Sequence, residues 1–65
     1  MVWRQVKQDM VRNVMIELLE LQTDNDEIKK FIGLMNWERE KHIIFPIEDA
    51  ELITKSIMRM VECED

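Results

Sequence analysis

Glycine and proline each occur once in this chain, as Gly33 and Pro46, and cysteine once, as Cys63. So few breakers argue against a loop-rich or disordered chain and favour long regular elements. One cysteine allows no internal disulfide. With His42 as the only histidine, a structural zinc site is short of ligands. A Gly-rich phosphate loop is excluded, because Gly33 stands alone. Basic residues are outnumbered, nine Lys and Arg against 14 Asp and Glu, for a net charge of −5. That balance favours solubility and disfavours non-specific binding to nucleic acid or anionic membrane. Long hydrophobic runs are missing too: no segment approaches the roughly 20 apolar residues that span a bilayer. Residues 1–20 hold Arg4, Lys7, Asp9 and Arg12 and lack the pattern of a signal peptide. With one reduced cysteine, a cytoplasmic location is the expectation. Glu62, Glu64 and Asp65 disfavour a Cys63 thiolate, so Cys63 is not read as a reactive thiol.

The chain is rich in apolar residues, 46% of the total, and it has six Met. A chain of 65 residues is one domain at most, read as a single helical domain over 1–65. It buries only about 60% of its unfolded surface, so its core is marginal unless something adds to it. With disulfides and zinc set aside, oligomerisation is the remaining remedy. The run Val14-Met15-Ile16-Glu17-Leu18-Leu19-Glu20-Leu21 points the same way, since its polar breaks are Glu17 and Glu20 alone. As a helix it has an apolar stripe wider than the ~100° that packs on one neighbour, and so calls for partners on two sides.

Trp3, Val6, Met10, Val14, Leu18 and Leu21 recur at helical spacing and predict a first helix over 2–22. Apolar and polar residues also partly alternate over Val2–Lys7, which admits a strand and a strand–helix–helix DNA-binding dimer. The acidic balance and the lack of Gly at the helix–helix turn favour the helix. Asp24 and Glu27 have the spacing of a capping box for a second helix carrying Ile28, Phe31, Ile32 and Met35 on one face. There Gly33 would cost about 1 kcal/mol against Ala, or permit close backbone approach. His42-Ile43-Ile44-Phe45-Pro46 is apolar and β-branched, and reads as an extended strap over the core or a strand pairing with its twin across a two-fold axis. A third helix begins near Pro46 or Ile47, with Glu48, Asp49 and Glu51 at the positive end of its dipole. Its apolar face is Ile47, Ala50, Ile53, Ile57, Met60 and Val61. The fold class expected is therefore all-α: a three-helix bundle-like domain with a strap before the third helix, forming a homodimer. The self-association surface would be Val14, Ile16, Leu18 and Leu21.

Catalytic chemistry finds little support. Ser56 has no His at i±4, and His42 is the only imidazole available to Thr23, Thr54 or Cys63. Glu38 and His42 have a spacing that could share a metal, but two ligands are a weak signal. A calcium loop starting at Asp24 would need Gly and Glu where Lys29 and Met35 stand. No enzyme, cofactor or metal is therefore expected. A helical hairpin would gather Trp3, Arg4, Lys7, Trp37, Arg39 and Lys41 at one end, and Trp and Arg are enriched at binding hot spots. Glu38 and Glu40 blunt the field there. Thioether side chains fill core gaps and also line adaptable grooves; Met58, off the main stripe of the third helix, is the one read as an interface residue. The function expected is a non-enzymatic interaction module, a small acidic regulator or adaptor that binds a larger protein. The alternatives are a dimeric nucleic-acid-binding regulator using the basic Trp-bearing end, and a structural subunit of a larger assembly.

Overall fold

The computed structural model describes residues 1–63. Four strands precede one helix: β1 (Val2–Val11), β2 (Val14–Gln22), β3 (Ile28–Asn36), β4 (Lys41–Pro46) and α1 (Ile47–Glu62). Each strand pairs antiparallel with its sequence neighbour, in the order β1-β2-β3-β4. The all-α expectation is overturned, and with it the helical bundle. The segment read as a first helix is a β-hairpin, the second helix is β3, and the strap 42–46 is β4, which finds its ladder partner in β3 of the same chain. Only the third helix stands where the sequence placed it.

The physical reason lies in β2. A half-buried strand alternates apolar and polar residues, but β2 presents apolar residues to both sides of the sheet, so its alternation vanishes. Val14, Ile16 and Leu18 share one face; Met15, Leu19 and Leu21 share the other. Residues that look like one helical stripe, such as Leu18 and Leu21, are separated by the whole sheet. The hairpin between β1 and β2 is also hard to see. Its two-residue turn, Arg12-Asn13, has φ 55° at Arg12, the position where a type II′ turn prefers Gly. Asp24 and Glu27 cap no helix. They sit in the loop 23–27, closed by the Thr23 N–H donating to the Glu27 carbonyl at 2.9 Å and the Asp26 N–H donating to the Thr23 carbonyl at 3.1 Å. In β1 the register shifts between Gln5 and Lys7, a bulge at Val6 that interrupts the long edge strand.

Register assigns the faces. One, here the histidine face, carries Trp3, Gln5, Gln8 and Met10 from β1, Met15, Glu17, Leu19 and Leu21 from β2, Lys29, Phe31, Gly33 and Met35 from β3, and His42, Ile44 and Pro46 from β4. The other, the aliphatic face, has a block of two cross-strand rows at its centre: Ile16–Leu34–Ile43 and Leu18–Ile32–Phe45.

α1 starts at the residue after β4 ends, with Glu48 and Asp49 in its first turn and Arg59 in its last, both favourable to its dipole. It touches only β3 and β4, and none of its residues is buried. The radius of gyration is 13.9 Å, against about 11 Å for a compact domain of this length. The long axis is 49 Å, more than the roughly 33 Å of the longest strand. The helix therefore continues outward from the sheet and leaves most of it uncovered. Among the described residues the core amounts to Leu21, 9% exposed. No helix among them is long and apolar enough to cross a membrane.

Candidate functional site

The middle of the histidine face holds a polar cluster drawn from three strands. Glu17 comes from the central strand β2 and is 13% exposed. Its Oε1 accepts from Gln5 Nε2 at 2.8 Å, reaching across from β1. Its Oε2 lies 3.6 Å from His42 Nε2, which approaches from β4. Directly opposite Glu17 in the ladder is Gly33. A Cβ built there would lie 2.9 Å from Glu17 Oε2, 3.3 Å from Leu19 Cδ1 and 3.5 Å from His42 Nε2. Glycine is thus the floor on which three strands bring their polar ends together, and its role is space rather than backbone freedom.

Two different apolar surfaces flank this centre. On one side Trp3 of β1 lies against Phe31 of β3, ring centroids 5.3 Å apart and planes tilted by 55°, a favourable aromatic arrangement. Trp3 remains 51% exposed. On the other side Met10, Met15 and Met35 form a continuous cross-strand row that ends at His42. Thioether side chains in such a row can adapt their shape to a guest. The face combines a rigid aromatic anchor, a deformable apolar row and a fixed polar centre. Among the described residues no three His, Cys, Asp or Glu side chains gather as a metal site.

The sequence-derived surface is divided. Trp3 and Arg4 pair with Leu21 and Glu20, at the end of the sheet bearing the loop 23–27. Trp37 follows β3 at the opposite end, its N–H donating to the Asn13 carbonyl at 3.0 Å. Six residue steps along the chain, roughly 20 Å, separate Phe31 beside Trp3 from Trp37. Arg39 and Lys41 stay with Trp37, and Lys7 lies mid-strand on the aliphatic face. Arg4 is already engaged, its guanidinium donating to Glu20 Oε2 at 2.8 Å. The two tryptophans and the basic residues therefore do not form one site, because the connection that would have been a helical hairpin is a β-meander. Of the expected self-association residues, Val14, Ile16 and Leu18 do share the aliphatic face, while Leu21 belongs to the other. Glu17, Gln5, Gly33 and Phe31 escaped the sequence reading. The signal that could have found them is an acidic residue in an otherwise apolar run, facing the chain's only glycine.

No family model, curated protein or solved structure matches this chain.

Proposed function

We propose that the chain is a non-enzymatic interaction module that recognises a segment of another protein on its histidine face. The observation that supports the reading is the exposed Trp3 lying on half-buried Phe31 beside the Met10–Met15–Met35 row, with the Gln5–Glu17–His42 cluster between them. Trp is the residue type most enriched at binding hot spots, and the Met row supplies tolerance of shape. The chain's charge of −5 favours partners with basic character, by steering and by complementarity. A regulator or adaptor role follows from this chemistry. The nucleic-acid alternative loses its basis, since the basic, Trp-bearing end is not assembled.

The test is selection of displayed peptides on the folded protein. Selected peptides are expected to bind, to lose at least tenfold in affinity with Trp3→Ala, about 1.4 kcal/mol, and to ignore Trp37→Ala. Failure to select any binder, or binders indifferent to Trp3, would sink the reading.

A further inference from the structure

The opposite face poses a separate problem, independent of recognition on the histidine face. Two apolar surfaces of this chain are only partly covered. The first is the aliphatic block of Ile16, Leu34, Ile43, Leu18, Ile32 and Phe45, in which Ile43 is 59% exposed and the other five stay half-buried although no element packs over their centre. The second is the apolar side of α1, where Ile57 is 51% exposed and Met60 and Val61 more so. α1 is supported only where it touches β3 and β4, and most helical stability in proteins comes from packing of the apolar face, which here is largely unused. The chain cannot bring the two surfaces together by itself. Pro46 ends β4 and Ile47 begins α1 with no residue between them, whereas a helix that turns back onto its own sheet needs a connection of about 2–6 residues.

We infer that a second copy of this chain supplies the cover, with α1 of each copy laid on the aliphatic face of the other. Three observations specify this occupant. The accessible surface is 5714 Å², about 1,300 Å² more than the roughly 4,400 Å² of a folded monomer of 7.9 kDa. Counted for two copies, that excess is about 2,600 Å², within the range of obligate dimers. The aliphatic face has the anatomy of such an interface, an apolar centre bordered by the charged row Arg4–Glu20–Lys30 and by Lys7 and Asp9 of β1. Finally, the charges match. On that face Arg4, Lys7, Lys30 and Lys41 stand against Asp9 and Glu20, a net +2. On α1, Glu48, Asp49, Glu51 and Glu62 stand against Lys55 and Arg59, a net −2. Exchange about a two-fold axis satisfies both surfaces of both copies at once.

The experiment joins mass to geometry. Light scattering on the eluting protein is expected to give twice the chain mass. Ile57→Asp, at a position the single chain leaves exposed, is expected to halve that mass while the far-ultraviolet strand signal stays. A nitroxide on Cys63 of one copy, mixed with an isotope-labelled Cys63→Ser copy, is expected to broaden amides of β2, β3 and β4 in the labelled copy. A monomer at all concentrations overturns the inference. So does a dimer that Ile57→Asp leaves intact, and so does a dimer in which the nitroxide broadens only α1. Peptide selection on the histidine face can succeed or fail whatever the mass, so the two readings are tested apart.

Discussion

Replacing Gly33 with Ala sets two local effects against each other, and their balance depends on a side chain in another strand. In a strand, Ala is favoured over Gly by about 0.5–1 kcal/mol, because Gly loses more backbone freedom on folding. Here the new methyl would meet Glu17 Oε2 at 2.9 Å. The carboxylate is the end of a flexible side chain and can swing aside. Doing so gives up the 2.8 Å hydrogen bond from Gln5, worth about 1 kcal/mol, and the contact with His42, worth a few tenths at most at a partly exposed site. Gly33→Ala should therefore lie within about 0.5 kcal/mol of the parent. In a Glu17→Ala background the obstruction is gone, and the same change should stabilise by about 0.5–1 kcal/mol, leaving only the Leu19 methyl at 3.3 Å to shift slightly. The assay is a double-mutant cycle by urea denaturation, all four proteins at one concentration, since association would otherwise move the midpoints. A coupling of about 1 kcal/mol is expected. If Gly33→Ala has the same effect in both backgrounds, Gly33 is not the floor of the Glu17 cluster.

Arg12→Gly should stabilise the protein by about 1 kcal/mol, because Arg12 occupies the left-handed region at φ 55°; a lowered urea midpoint would contradict that turn geometry. Trp3→Ala removes the stacking on Phe31 and should cost about 0.5–1.5 kcal/mol beyond lost area, whereas Trp37→Ala, at a side chain 55% exposed, should be close to neutral in thermal melts; the reverse order would place the anchor at the wrong end. Leu18→Asp puts a charge in the middle of the aliphatic block and should cost about 2 kcal/mol or more, so an unchanged unfolding midpoint would remove Leu18 from that surface.

What the sequence disclosed depended on how many sides of each element are apolar. α1 was legible, because Pro46, the acids at 48, 49 and 51 and a single apolar side all agree with its limits at Ile47 and Glu62. The β-branched run of β4 reads as extended chain, but as a strap or an intermolecular strand; its ladder partner is β3 of the same chain, disguised by Ile28, Phe31, Ile32 and Met35 at helical spacing. β1 and β2 were misread as one helix because Arg12-Asn13 carries no Gly to announce the turn and β2 shows no alternation. The histidine face could not be found from the expected helices, since its members are neighbours only through strand register: Gln5, Glu17, Gly33 and His42 come from four different strands.

The nearest-neighbour order of the strands also carries a kinetic consequence. Every pairing in the sheet is made with the preceding or following strand, across connections of two, five and four residues. Ladders of such low sequence separation form quickly, hairpins in about 1–10 μs. The strand signal should therefore return early in refolding, at a rate indifferent to protein concentration. Firm burial of the aliphatic block would wait for an encounter between chains, and that later phase should quicken as the protein is made more concentrated.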